Sequence, residues 1–374
     1  MKILFVTTIS NTVNAFLIPH IKLLLDKGYQ VDVAFHTVQE ISPELLELGC
    51  TIHEIEFERS PIHKNNYKAY KKLKKLIIER EYELVHTHTP VASFLTRLAC
   101  MNIPNIKVLY TAHGFHFYKG APWLNWAIYY TMEKIAARWT DGIITMNEED
   151  YRAAQQMKVR KAVYKVHGVG IDLSKFKPQT MEQKRRLRKE YGYNENSYIL
   201  LYTAELNHNK HQDLLIQAID ILRKEIPSVK LLLAGKGPLE EEYTKLIISL
   251  GVSNFVEILG YRNDIPNLFR LADLAVSSSR REGLPVNILE AMATGLPLVV
   301  TDCRGNRDLV KDGENGYVLT DDVDQFSNAL KSIYMAEHLK EGFTTKSLSQ
   351  IEDYSLDNVL KEMEEIYRSF DHLT

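Results

Sequence analysis

LAVSSSRREGLPVNILEAMATGLPLVVT (274–301) is the stretch that decides the fold. Its ends, LAVSSS (274–279) and PLVVT (297–301), are short apolar runs of the kind found in strands buried on both faces. Between them Gly283-Leu284-Pro285 makes a turn and opens a helix, with Pro285 in the first turn. A strand, one helix and another strand in this span imply a parallel pair joined by a right-handed crossover.

The same rhythm runs outward in both directions. Toward the start, strand-like runs stand at 2–7, 30–35, 51–55, 83–88, 107–112, 142–146 and 162–166. Around the opening stretch they stand at 198–204, 230–235, 256–260, 274–279, 297–301 and 316–320, with helical patterns such as HQDLLIQAIDILRK between them. The alternation occurs twice, so the expected class is α/β with two Rossmann-like domains, each built on a parallel sheet. The break falls near VHGVGIDLSKFKPQ (166–179), which is rich in turn residues. This gives an N-terminal domain over 1–168 and a C-terminal domain over 169–355, with the last helical stretch, 356–374, crossing back onto the first.

A chain of 374 residues, 45% hydrophobic and 25% charged, holds enough apolar material for two cores. Its net charge of −2 excludes a strongly basic nucleic-acid binder. Cys50, Cys100 and Cys303 are odd in number and show no C-x-x-C spacing, which fits a reducing cytoplasm. MKILFVTTISN reads as a first buried strand rather than a signal segment, and no run approaches 18 apolar residues.

Glu282 and Glu290 flank the turn of the opening stretch. Such a pair admits three uses: proton transfer, metal binding, or acceptance of hydrogen bonds from ligand hydroxyls. The amides of Gly283 and Leu284 and the helix dipole offer a place for a diphosphate. Carboxylates repel phosphate, so both acids are expected to face neutral hydroxyls beside it, Glu290 about one and a half turns into the helix. A nucleotide sugar, a diphosphate between two polyhydroxylated rings, has all three features. Two surface acids on a solvated helix start are the plainer alternative.

HTHTP (86–90), YTAHGFHF (110–117), GVGID (168–172), AELNHNKHQDLLIQA (204–218), AGKGPLEEE (234–242), LGYRNDIPNLFRLADL (259–274) and EGLPVNILEAMATGLPLVVTDCRGNRDLVKDGENGYVL (282–319) together resemble the retaining family 4 glycosyltransferases. Their E-x(7)-E element corresponds to Glu282 and Glu290. The resemblance covers nearly the whole chain and implies a GT-B fold, two Rossmann-like domains facing each other across a deep cleft. It places the donor nucleotide sugar, expected to be a UDP-sugar, on the C-terminal domain and the acceptor on the N-terminal one. By the same resemblance Glu282 contacts the donor sugar, Glu290 the ribose, and the Gly283, Leu284 and Pro285 backbone the phosphates. Lys210 matches the diphosphate-binding lysine; the helix dipole disfavours a lysine at a helix start, which adds weight to a ligand role. Tyr261 and Arg262 fall on the donor side. Glu205 stands where many relatives have arginine, with Arg280 and Arg281 as candidate substitutes.

His113 corresponds to the family's histidine near the reacting sugar. His86, His88 and His116 lack the spacing of a metal site and are expected to line the acceptor region. Asp322-Val-Asp324 has a D-x-D spacing, but its place between a strand and the helix FSNALKSIYM reads as helix capping. The expectation is therefore a metal-independent hexosyltransferase with no cofactor. In the first loop, Ser10, Asn11 and Thr12 are expected to cap the helix that follows.

HKNNYKAYKKLKKLIIER (63–80) reads as an amphipathic helix with Lys68, Lys71, Lys72 and Lys75 on one side and Tyr67, Tyr70, Leu73 and Ile77 on the other. Relatives that act on lipid-linked acceptors give that basic face an anionic membrane to meet. The expected partners are a nucleotide sugar and a glycan or polyprenyl-diphosphate-linked acceptor, with no nucleic acid, in the cytoplasm or on the inner face of the cell membrane. The expected setting is assembly of a bacterial capsule, exopolysaccharide or lipopolysaccharide. A sugar-nucleotide epimerase or hydrolase, and a non-catalytic nucleotide-sugar binder, fit the same donor site. A dehydrogenase fits less well, because no G-x-G-x-x-G opens a helix after the first strand.

Overall fold

The structure, a computed structural model, describes residues 1–58, 60 and 63–371, so positions 372–374 of the expected last helix lie outside the described residues. The chain forms two units: Met1–Gly170 together with the chain from Asp357 onward, and Ile171–Leu356.

The first unit is built on β1 (Lys2–Ile9), β2 (Gln30–His36), β3 (Thr51–Glu54), β4 (Leu84–His88), β5 (Lys107–Ala112), β6 (Gly142–Thr145) and β7 (Ala162–Lys165). They lie in the order β3-β2-β1-β4-β5-β6-β7, and every neighbouring pair is parallel. The second is built on β8 (Tyr198–Thr203), β9 (Val229–Ala234), β10 (Val256–Gly260), β11 (Leu274–Ser277), β12 (Leu298–Thr301) and β13 (Gly316–Leu319). Their order is β10-β9-β8-β11-β12-β13, again all parallel.

The apolar runs are explained by burial on both faces. Along β8, Leu200 and Tyr202 pack with Leu215 and Ile219 of the helix Gln212–Leu222. The intervening Ile199 and Leu201 pack on the other face with Ile288 and Met292 of the helix Val286–Thr294. A strand that feeds two cores has no polar face, and each fully buried Leu or Ile contributes about 1.5–3 kcal/mol. In both sheets the order reverses beside the unit's first strand. Loops leaving β1 and β4, and those leaving β8 and β11, therefore turn toward opposite faces and open a crevice at the C-terminal strand ends.

Three local expectations are corrected. Ser10, Asn11 and Thr12 do not cap the first helix; β1 runs straight into it, and they form its opening turn without a side-chain cap. Ser10 Oγ is drawn instead to the loop after β2, accepting from the Val38 and Gln39 amides and donating to Gln39 O. Pro285 is the residue before the first turn of Val286–Thr294 rather than within it. In the helix Asn65–Arg80 the buried face is Asn66, Ala69, Leu73 and Ile77. Tyr67 is 62% exposed and lies under the Lys71 ammonium, 4.5 Å from its ring centre, so it belongs to the basic side. Lys68, Lys71, Lys72 and Lys75 are all exposed.

The helix Leu356–Asp371 buries Val359, Met363, Ile366, Tyr367 and Phe370. Tyr367 OH meets His86 Nδ1 on β4 at 2.6 Å, and Lys107 at the start of β5 donates to Phe370 O at 2.7 Å.

Candidate functional site

In the second unit the switch-point loops carry the expected donor residues. Lys210 Nζ, from the loop after β8, donates to Glu282 Oε1, from the loop after β11, at 2.5 Å. The two loops are tied by their backbones as well. Ser278 Oγ and Tyr202 OH donate to Lys210 O, Asn209 Nδ2 donates to Arg281 O, and the Arg280 amide donates to Asn209 O. β11 ends at Ser277, and the Ser278 hydroxyl beyond it turns to the loop after β8. Lys210 is thereby fixed in position before any ligand arrives.

The Gly283–Pro285 turn is braced by the loop after β12. The Arg304 guanidinium, itself buried, donates to Glu282 O at 2.9 Å. Gly305 has φ +82°, and a Cβ there would stand 2.6 Å from Gly283 O. The position therefore admits glycine alone, for conformation and for space.

Glu290 is half-buried in the second turn of Val286–Thr294. Burial pushes its carboxyl up to about 8, and among the described residues no cation or donor offsets that. Its shifted carboxyl makes Glu290 a candidate ligand-binding group.

The other residues on the donor side are placed differently. Tyr261 is exposed at the end of β10. Arg262 is bound to Asp264 through Nε at 2.8 Å and NH2 at 2.5 Å, and Asp264 also accepts from Tyr191 OH. Arg280 donates to His208 O and faces Asp321 at 3.7 Å, so its guanidinium is held on that side of the loop. Glu205 is exposed and accepts from Asn207 Nδ2. Asp322 caps the helix Val323–Met335 by accepting from the Gln325 amide, and Asp324 lies in its first turn.

In the first unit, His113 at the end of β5 meets His88 at the end of β4, Nε2 to Nδ1, at 3.1 Å. His86, two residues before His88, is enclosed, with its nitrogens on Tyr367 OH and Thr111 Oγ1. Burial, and then the neighbouring imidazoles, hold His86 and His88 well below the usual histidine range. Burial, and then His20, lower His113 to about 4. All three rings are therefore neutral at pH 7. His88 Nε2 is buried without a partner. An unpaired buried acceptor is tolerated better than an unpaired N–H. The favoured tautomer thus places the proton on His88 Nδ1, donating to His113 Nε2, and leaves His113 with its proton on Nδ1. His116 lies against Tyr129, ring centres 4.8 Å apart and planes tilted by 33°.

Sequence reasoning missed the residues that hold these loops. Asp150 is buried and accepts from the Phe115 amide at 3.1 Å and from Asn147 Nδ2 at 2.8 Å, fixing the loop that begins at His113. Its signal was the capping pattern Asn147-Glu-Glu-Asp150, which precedes a helix whose N-cap is Asn147. Arg304 and Gly305 stood inside the long 282–319 run without a role.

Comparison with known proteins gives a consistent result. Residues 19–175 match the family described as Glycosyltransferase Family 4, and residues 183–347 match Glycosyl transferases group 1. EpsD of Bacillus subtilis (strain 168), which bears the name of a glycosyltransferase, is 39% identical over 99% of this chain and 97% of its own. The Escherichia coli UDP-Gal:alpha-D-GlcNAc-diphosphoundecaprenol alpha-1,3-galactosyltransferase is 30% identical over 69% of this chain and 68% of its own. Among solved structures, Anabaena HepE in complex with UDP and glucose aligns with a TM-score of 0.80 over 99% of this chain and all of its own, at 21% identity. Sucrose-phosphate synthase from Thermosynechococcus elongatus gives 0.83 over the full length of both chains at 16% identity, a likeness of fold.

Proposed function

Because the chain belongs to the family 4 glycosyltransferases and has the GT-B fold, we propose that it is a retaining, metal-independent hexosyltransferase. It moves a sugar from a UDP-sugar to a hydroxyl of a polyprenyl-diphosphate-linked glycan, at the inner face of the cell membrane, in surface-polysaccharide assembly. The observation that carries this reading is the Lys210–Glu282 ion pair set against the Gly283–Pro285 turn at the switch point of the six-stranded sheet.

That pair gives the donor a defined way in. A diphosphate at the turn draws the Lys210 ammonium to itself and leaves Glu282 as an acceptor for a sugar hydroxyl. Lys210 then stabilises the negative charge that grows on the departing UDP, the kind of fixed electrostatic contribution that dominates many enzymes. Glu290 accepts from the ribose hydroxyls. On the acceptor side His113 presents Nδ1–H to a sugar hydroxyl.

Retention is assigned to attack on the face the leaving group vacates, through an oxocarbenium-like transition state, with the leaving phosphate taking the acceptor's proton. A double displacement needs a carboxylate behind the anomeric carbon. Asp150, the buried acid that touches the His113 loop, is committed to the Phe115 amide and to Asn147, which speaks against that role. Metal independence is supported by Asp322, whose carboxylate is occupied as a helix cap, and by Lys210 as a resident cation. The names of the E. coli relative and of the HepE complex favour uridine nucleotides.

A panel of nucleotide sugars, read by binding and slow donor hydrolysis and followed by acceptor screening with EDTA present, tests the reading. Transfer from a UDP-sugar with the anomeric configuration kept by NMR is expected. Donor turnover that is as fast without any acceptor, or full loss of transfer in EDTA, overturns it.

A further inference from the structure

The proposed chemistry leaves unused the helical run Trp123–Trp139, which follows the His113 loop and includes a π turn at Trp126–Tyr130. Its start carries the most exposed large apolar side chain of the described residues: Trp123 is 78% exposed, with Leu124, Trp126 and Ile128 at 50%, 40% and 43%. Ile135 continues the exposed apolar face two turns on. Exposed large apolar side chains gathered in one short run mark a contact face.

Composition and charge identify what it meets. Trp123, Trp126, Tyr129 and Tyr130 crowd one short segment, and indole and phenol rings are the side chains that settle at lipid headgroup level. The exposed charges of the run, Lys134 and Arg138, are both positive. Its one acid, Glu133, is buried against Arg97 at 2.7 Å. The helix Pro90–Cys100 packs on one flank against Thr131–Ala136 of this run and on the other against the basic helix Asn65–Arg80. Apolar and basic elements thus stand either side of one helix, as in a surface that lies on an anionic bilayer.

The run also holds the candidate acceptor loop. Asn125 Nδ2 donates to His116 O at 2.9 Å, and the His116 ring lies against Tyr129. Phe117 lies against Trp126 and Tyr130 with ring centres 5.3 and 5.2 Å apart.

We propose that Trp123–Ile135 is an interfacial anchor, seated by its exposed face in the headgroup region of an anionic bilayer. It thereby holds the loop from His113 to Phe117 at the membrane surface, where a lipid-linked acceptor displays its diphosphate and first sugars. The anchoring stands on its own; the delivery of acceptor rests on the proposed function.

All three tryptophans of the chain, Trp123, Trp126 and Trp139, lie in this run, so tryptophan emission excited selectively over the tyrosines reports on it alone. The full chain is titrated with vesicles of phosphatidylcholine and with vesicles of equal parts phosphatidylcholine and phosphatidylglycerol. Co-sedimentation with the anionic vesicles is expected, with a blue shift and quenching by lipids brominated near the headgroup. The double variant Trp123→Ser, Leu124→Ser, at exposed positions, loses about tenfold or more in vesicle affinity while its thermal unfolding stays that of the parent. Absence of both shift and co-sedimentation in the parent chain overturns the anchor. So does undiminished binding by the double variant, or self-association that the variant abolishes while neither protein binds lipid. Vesicle binding without transfer to any lipid-linked glycan keeps the anchor and refutes the acceptor reading.

Discussion

If Glu290 holds the donor ribose, it should couple donor binding to a proton. With its carboxyl pushed up to about 8, roughly nine-tenths of the free protein carries it protonated at pH 7. Ribose hydroxyls that donate to Glu290 need the carboxylate, and two such hydrogen bonds return its pKa toward the ordinary range. Binding a UDP-sugar, whose diester phosphates do not titrate near neutrality, should then release about 0.9 proton at pH 7 and only about 0.1 at pH 9. Calorimetric titration in buffers of different ionisation enthalpy reads that number as a slope. Glu290→Gln should bring the slope to near zero and weaken binding. The same group acts on stability, with a folded value above the ordinary 4.5. Its ionisation therefore costs the folded state progressively as pH rises from about 4.5 to about 8, and the cost is constant above that. At ~1.4 kcal/mol per tenfold change, Glu290→Gln should match the parent near pH 4 and exceed it by roughly 3–5 kcal/mol at pH 9 in urea titrations. Equal proton release from parent and variant would sink the ribose assignment. Unchanged pH dependence of stability would sink the account of the burial.

Lys210→Ala should lower kcat by about a hundredfold or more, with a smaller change in KM, since the ammonium matters most as UDP departs; an effect confined to KM contradicts that. Glu282→Ala frees Lys210 from its ion pair, so free UDP should bind as well as or better than before while transfer falls steeply; weaker UDP binding by calorimetry argues against the exchange of partners. His113, neutral down to about 4, should contribute no inflection to kcat/KM between pH 5 and 8. An inflection near 6.5 that vanishes in His113→Gln refutes the assignment of the neutral ring. Glu133→Ala leaves the fully buried Arg97 guanidinium without its carboxylate and should cost about 3–5 kcal/mol in chemical denaturation. A loss below 1 kcal/mol would mean that water reaches Arg97.

The sheets were legible because parallel strands covered on both faces leave unbroken apolar runs. KVLYTA is β5 from Lys107 to Ala112, and the observed strands fall on the thirteen runs of the sequence. Chain neighbours decide that much. Contacts across the chain decide the rest: nothing local joins Lys210 to Glu282, 72 positions apart, or Tyr367 to His86. The capping reading of Ser10 failed because its hydroxyl had a better partner in the loop after β2. Tyr67 was misplaced because an aromatic ring beside lysines can cover their stems as readily as enter a core. WLNWAIYY drew no reading from its letters, and only its exposure shows a face turned outward.

The first unit is sewn from both ends of the chain, and this sets an order of events on the ribosome. The second unit is a continuous segment and can fold once it has emerged. The first should wait, because Tyr367 and Phe370 pack beside β4 and β6, with Tyr367 OH on His86 and the Phe370 ring 2.9 Å from where a Cβ on Gly142 would lie. Synthesis therefore exposes a seven-stranded sheet lacking part of one wall while all of Ile171–Leu356 is made. The usual N-terminal-first sequence is inverted, and the waiting sheet is the species for which a chaperone would have to be recruited. A chain ending just after Leu356 should yield a protease-resistant second unit and a protease-sensitive first one.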